Sequence, residues 1–262
     1  MRILLELEAL ANYPYNNDYH YHMQAFVYSL IREAGIEYLH DRLGYKFFCF
    51  SNIFPYRASL EKGSEAHLLL SSPDPQLISG VAELISSGKI REAKIGSMHF
   101  KLKGVKGPLR ILVNDQPLRV RSATPIIIRI PTSRYEEYGI RSERPYLYWR
   151  ETIPLEAFVK QLRDNMEKKI VQYRSRENEL GYLSKERESV PLPDILSYRF
   201  VKMVSKPITV KKSKQQVIGS IWELEFAPQS DIEASNLEFV LDSGFGERNS
   251  LGFGFVNLIA SS

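Results

Sequence analysis

Hydrophobic positions along the chain switch repeatedly between the alternation of half-buried strands and the three-to-four spacing of amphipathic helices. "RILLELEAL" (2–10) alternates and reads as a strand. Tyr19, Met23, Phe26, Val27, Leu30 and Ile31 then recur at helical spacing within 17–34. "KFFCFSNIF" (46–54) and "AHLLLSS" (66–72) read as strands rich in aromatic or aliphatic residues. "DPQLISGVAELISSG" (74–88) is a short helix with Asp74 as N-cap, Pro75 in the first turn and Gly88 beyond its end. "EAKIGSMHFKLK" (92–103) reads as one further strand. The second half repeats this order. "LRVRSATPIIIRI" (118–130) is extended, with Pro125 marking an edge or a bulge. Residues 154–173 place Leu155, Phe158, Val159, Leu162, Met166, Ile170 and Tyr173 on one helical stripe. Strands over 198–210 and 216–226, a helix over 230–244 and a last strand over 253–260 complete the series.

Two successive β-α-β-β-α-β units imply an α+β protein of two ferredoxin-like domains in tandem. The expected domains are 1–110 and 118–262, separated near "GVKGPLRILVNDQP" (104–117), where glycine, proline and polar residues concentrate. The charged, aromatic stretch 134–152 is then an insertion before the first helix of the second domain. A fold of this kind serves many functions, so function has to be read from particular residues.

Apolar and charged fractions of 44% and 25% are ordinary for a globular chain of 262 residues. A single cysteine, Cys49, excludes an intramolecular disulfide framework and fits a reducing, cytoplasmic setting. Glu6 and Glu8 interrupt the N-terminal apolar run, against a signal peptide or a membrane span. The net charge of +4 is modest, but its distribution is not even. "KLKGVKGPLR" (101–110), "LRVRS" (118–122) and "KPITVKKSK" (206–214), the last with Lys211 and Lys212, carry cations almost without acids. Three such clusters point to a polyanionic partner.

The chemistry-bearing stretches lie at opposite ends of the chain. Near the C-terminus, "SGFGERNSLGFGFVNLIASS" brings Gly244, Gly246, Gly252 and Gly254 together around Glu247, Arg248 and Asn249. A dinucleotide fingerprint needs a helix after its glycines, a Walker loop ends in Gly-Lys-Ser/Thr, and a kinase loop opens its domain. All three fail here. "LGFGFVNL" approaches the aromatic strand of an RNA-recognition motif but has Leu251 where a basic residue leads, and no further helix follows. What remains is a strand-bordering turn, or a loop whose backbone amides hold phosphates. In the first half, Tyr28 lies five residues after Met23, about 140° around the helix, and so turns away from the apolar stripe. His40 and Lys46 follow within one connection. His20 and His22 lack the spaced partners of a metal site, and His67 and His99 belong to strands without a motif. Cys49, Phe47, Phe48 and Phe50 read as core.

The block "HMQAFVYSLI…YLHDRLGYKFFCFS" (22–51) and the loop "GFGERNSLGFGFV" resemble the CRISPR-associated repeat-RNA endoribonucleases of the repeat-associated-mysterious-protein superfamily, archaeal type. The middle of the chain, about 110–200, resembles them in layout only. The resemblance implies a catalytic triad at Tyr28, His40 and Lys46. It also implies a loop, Gly244, Gly246, Arg248, Gly252 and Gly254, that binds RNA and packs between domains, with Lys211 and Lys212 along the RNA path. The residue types suit cleavage without metal or other cofactor, in which a ribose 2′-OH attacks the adjacent phosphate. That step leaves a 2′,3′-cyclic phosphate and a 5′-OH. His40 as general acid, Tyr28 at the nucleophile and Lys46 on the phosphate is one assignment, and the acid and base roles can be exchanged. The partner implied is CRISPR repeat RNA; a homodimer and transfer of product to an effector complex stay open. The second reading is a guide-RNA-binding subunit of such a complex that does not cut.

Overall fold

The computed structural model describes residues 1–14, 20–36, 44–114, 116–179, 190–210 and 213–259. The first half runs β1 (Arg2–Ala9), β2 (Tyr13–Pro14), α1 (His20–Glu33), β3 (Cys49–Phe50), β4 (Ser59–Leu60), β5 (Glu65–Ser71), α2 (Pro75–Ser86), β6 (Glu92–Ile95) and β7 (Met98–Leu109). Its main sheet has the order β3-β5-β1-β7-β6, with every pairing antiparallel. The second half runs β8 (Leu118–Ser122), β9 (Arg129–Pro131), β10 (Tyr146–Tyr148), α3 (Leu155–Glu179), β11 (Asp194–Val210), β12 (Ser213–Ala227), α4 (Asp231–Ser243) and β13 (Val256–Leu258). Its sheet has the order β11-β12-β8-β13. The chain is thus a mixed α+β protein in which each half contributes its own sheet and helix pair.

The period of two places Ile3, Leu5, Leu7 and Ala9 of β1 in the first core, where α1 lays Met23, Phe26, Val27, Leu30 and Ile31. Asp74 caps α2 by accepting from the backbone amides of Gln76 and Leu77 at 3.0 and 3.4 Å. In the second core, Phe158, Leu162, Met166 and Ile170 of α3 meet Trp222, Leu224 and Phe226 of β12. Ser230 caps α4 by accepting from the amide of Glu233.

Four expected strands are shorter than expected or interrupted. The span 92–103 is a hairpin: Ile95 pairs with Met98 across Gly96-Ser97, Gly96 being left-handed at φ 64°. Buried positions accordingly shift from Ala93 and Ile95 to Met98, Phe100 and Leu102. Over 46–54 the continuous strand is only Cys49–Phe50, with Phe54 making a separate bridge to His67 of β5, and before it Phe47 takes φ 52° and sends its ring into the other half, against Tyr173 and Phe239. Over 118–130 the strand ends at Ser122, and β9 pairs instead with β10 from the insertion. Over 253–260 the last strand spans only Val256–Leu258.

The cation clusters are also less free than their sequences suggest. Lys103 and Lys106 reach Glu8 and Glu6 of the adjacent β1 at 3.1 and 2.6 Å, and Arg121 shares Glu223 with Arg199. Acids absent from a cluster in sequence stand beside it across the sheet. Lys211 and Lys212 lie outside the described residues.

A polar contact ties the two halves together. The buried Arg2 guanidinium donates to the carbonyls of Val256 and Leu241 at 2.8 and 2.9 Å and lies over the Phe255 ring. Asp242 of α4 sits between Arg2, the Met1 ammonium and the Ser71 hydroxyl. Asp242→Ala would leave two cations facing one another with little solvent, and is expected to cost about 3 kcal/mol. Urea unfolding of the variant measures it; an unchanged midpoint would show that this contact does not hold the halves together.

Candidate active site

After α4 the chain makes a compact turn over residues 244–254, whose four glycines are all buried and all have positive φ. Two of them show why no side chain fits. A Cβ on Gly254 (φ 71°) would lie 1.9 Å from the Phe245 carbonyl oxygen, and one on Gly252 (φ 87°) would lie 2.5 Å from the Phe50 ring. The Asn249 carboxamide fills the centre of the turn. Its Nδ2 donates to the carbonyls of Phe245 and Phe253, each at 3.0 Å, and its Oδ1 accepts from Lys169 Nζ at 2.6 Å. Lys169 Nζ also donates to the Gly244 carbonyl at 2.5 Å. Backbone amides of Phe245, Glu247, Gly252 and Gly254 bond to Gly254, Ile127, Asn249 and Pro125 carbonyls.

This changes the part expected of Gly244, Gly246, Gly252 and Gly254. They let the turn close on itself and on β3, and the amides of Gly244, Gly252 and Gly254 bond within the protein, to the carbonyls of Val240, Asn249 and Pro125. The partly exposed polar side chains of the turn are Glu247, Arg248 and Ser250. Glu247 forms an ion pair with Arg129, which leaves Arg248 and Ser250 facing the first half.

Tyr28 and Lys46 meet the turn there. Tyr28 projects from α1 off the apolar stripe, packs edge-on against Phe48 with ring centroids 5.5 Å apart, and hydrogen-bonds with Ser250 and Gln24. Lys46, half-buried, lines a cavity of about 80 Å³ together with Gly44, Tyr45, Lys169, Arg248, Asn249 and Ser250. Two expected site residues, 18 positions apart in sequence, therefore converge on the glycine turn, 200 residues downstream. His40 lies outside the described residues. Cys49 is fully buried with its thiol pushed up to about 12 by burial, and is core as expected. Phe47, Phe48 and Phe50 are likewise core. His20 is buried against Phe253, with rings stacked at 5.4 Å.

Lys169 is the residue that reading the sequence missed. It is 1% exposed and forms the floor of the cavity, supported by Asn165 one turn earlier, which donates to the Tyr45 hydroxyl at 3.1 Å. A signal was present: Lys169 stands seven residues after the buried Leu162, on the apolar stripe itself.

The cavity is lined by the basic side chains of Lys46, Lys169 and Arg248 and by no carboxylate. It suits an anion of phosphodiester type, whose negative oxygens such a concave, partly desolvated surface attracts. Burial raises the Tyr28 pKa, with Ser250 and Gln24 opposing that shift. Tyr28 is therefore a neutral phenol near neutral pH, able to donate or to orient a hydroxyl. Burial lowers Lys169 to about 7, against the pull of Cys49 and Glu247. A neutral Lys169 amine keeps two N–H groups, enough for both of its acceptors.

Two outcomes follow from this construction. Gly254→Ala is expected to cost about 3 kcal/mol or more, whereas Gly139→Ala, also left-handed but with open space around it, should cost about 1 kcal/mol. Equal losses in urea unfolding would refute the steric account. For Lys169, the folded-state pKa lies below the unfolded value of about 10.4. Between about pH 7 and 10 the unfolded chain holds a proton that the folded chain has shed, so this group's contribution to stability rises with pH. The stability difference between the protein and Lys169→Met should shift in favour of the unmutated chain, by at most about 1.4 kcal/mol per pH unit. A difference that stays constant from pH 7 to 9 would show that Lys169 does not titrate in this window.

Known proteins resemble the chain along its whole length. The chain is 27% identical to the CRISPR-associated endoribonuclease Cas6 of Haloferax mediterranei, over 99% of this chain and 94% of that one. It is 28% identical to CRISPR-associated endoribonuclease Cas6 2 of Methanocaldococcus jannaschii, over 99% of this chain and the whole of that one. Among solved structures, the fold matches a CRISPR-associated Cas6 protein with a TM-score of 0.66 at 20% identity, covering 99% of both chains. It also matches a structure described as an RAMP protein binding different RNA substrates, with a TM-score of 0.69 at 22% identity, covering 99% and 100%. The family described as "CRISPR associated protein Cas6, C-terminal" matches residues 112–258, which include α3 with Lys169 and the whole glycine turn, and the chain belongs to that family.

Proposed function

We propose that the protein is an endoribonuclease that cuts the repeats of precursor CRISPR RNA without a metal ion, leaving 2′,3′-cyclic phosphate and 5′-OH ends. The observation that carries the reading is a basic cavity at the seam of the two halves, lined by Lys46, Arg248 and Ser250, with Tyr28 hydrogen-bonded to Ser250 beside it. The identities of the relatives support the substrate. Each half is taken as one ferredoxin-like domain, 1–110 and 118–262, a reading supported by the strand orders β3-β5-β1-β7 and β11-β12-β8-β13.

In this mechanism the ribose 2′-oxygen forms a bond to the adjacent phosphorus as the bond from phosphorus to the 5′-oxygen breaks. The proton of the 2′-OH passes to a base, and the departing 5′-oxygen takes one from an acid. Lys46 and Arg248 face the non-bridging oxygens and stabilise their growing charge. Tyr28, held as a neutral phenol, orients the 2′-OH. His40, four residues before Gly44 at the cavity wall, supplies the acid. The phenol's raised pKa favours the histidine for at least one proton transfer at neutral pH.

End-group analysis of labelled repeat RNA is the test. Cleavage should persist in EDTA and stop with a single 2′-deoxy substitution at the cut site. His40→Ala should lower the single-turnover rate by about 10²- to 10⁴-fold while affinity is kept. Loss of cutting in EDTA together with normal cutting by His40→Ala would overturn the mechanism. Repeat binding without any cutting by the unmutated protein would favour the guide-RNA-binding reading instead.

A further inference from the structure

We infer that the inserted segment 134–152 carries a second RNA-binding site, which stacks an unpaired base of the RNA on Tyr146 and Tyr148 and holds its flanking phosphates with Arg144 and Arg150. The inference rests on the RNA-processing reading above and adds a subsite to it. In β10 the two tyrosines project on one face, two residues apart, with ring centroids 5.5 Å apart at 80°. They are half-buried and hydrogen-bonded to each other. Beside them a groove of about 590 Å³ runs between Tyr138 and Ile153, with Arg144 and Arg150 on its wall and no carboxylate in its lining. Both arginines are exposed, and among the described residues neither forms an ion pair. Planar rings next to unpaired guanidinium groups, at a volume sized for a nucleotide, match the chemistry of single-stranded RNA.

The groove is also joined to the candidate active site. The Arg129 guanidinium lies 4.8 Å over the Tyr146 ring and pairs with Glu247 of the glycine turn. The Glu247 amide bonds the Ile127 carbonyl at 2.9 Å, two residues before Arg129. Arg248 is near enough to act electrostatically on both tyrosines. A strand leaving the basic cavity past Arg248 meets the tyrosine face next. The charge of the groove lining is carried by Arg144 and Arg150 alone, which favours an anionic strand as its occupant.

The test uses the full chain and repeat RNA made uncleavable by 2′-deoxy substitution at the cut site, with 4-thiouridine placed at one position at a time. Irradiation should crosslink at least one unpaired position to a peptide within 142–150. The double variant Arg144→Gln/Arg150→Gln, at two exposed positions, should weaken binding and lower the slope of log affinity against log salt by about 1.4. Tyr146→Ala should weaken binding by about tenfold. Crosslinks confined to other segments, with affinity and salt slope unchanged in the double variant, would overturn the inference. So would sedimentation showing that the groove is the contact of a dimer that the double variant dissolves. Failure of the unmutated protein to bind repeat RNA at all would instead strike the underlying reading.

Discussion

The Asn249 carboxamide, gripped by Lys169, is the contact on which the rest of the seam depends. One side chain satisfies two carbonyls of its own turn, Phe245 and Phe253, and passes its remaining acceptor to an amine from α3. In a region where water is excluded, each of these groups would be costly if left unmade. The turn is therefore held in one shape, and that shape decides where Arg248 and Ser250 stand. Four glycines are the steric condition for it, since backbone, the Asn249 side chain and Phe50 occupy the space where their side chains would be.

The same low-dielectric seam sets the electrostatics of the site. Burial disfavours charge on Tyr28 and on Lys169, the first by raising its pKa and the second by lowering it. Lys46 and Arg248 at the cavity wall are less enclosed. Structural and chemical roles are divided accordingly. The deepest lysine, Lys169, fixes the turn, and the shallower Lys46 and Arg248 line the open side of the cavity.

Each half alone would be an unremarkable sheet with two helices. The site exists because β3 and the residues before it are shared. Phe47, in a left-handed conformation, plugs between Tyr173 and Phe239, and this bend carries Tyr45 and Lys46 across to α3. Arg2 and Asp242 hold the other end of the seam. The insertion is bound to the same turn through Arg129 and Glu247, so three parts of the chain distant in sequence report to one loop.

Much of this was legible from residue order. The alternation of β1, the stripes of α1 and α3 and the Asp74 cap are local properties, in which side-chain spacing meets a backbone period, and they survive in the structure. Tyr28's divergence from its stripe could be worked out from a helical wheel, and the cluster of glycines advertised a special loop. Other features depend on partners that the linear pattern does not name. The 92–103 hairpin was hidden because a Gly-Ser turn interrupts the alternation only by a change of parity. The strand expected over 46–54 is preceded by a bend at Phe47, whose ring packs in the opposite half. The lysines of 101–110 find their acids across β1, and Lys169, polar on an apolar stripe, has its reason in a turn about 80 residues later in the chain. Sequence by itself determined the elements and their order, since these follow from neighbours within a few residues. Only the tertiary structure decided which polar groups share a desolvated seam, because that depends on contacts whose sequence separation carries no period.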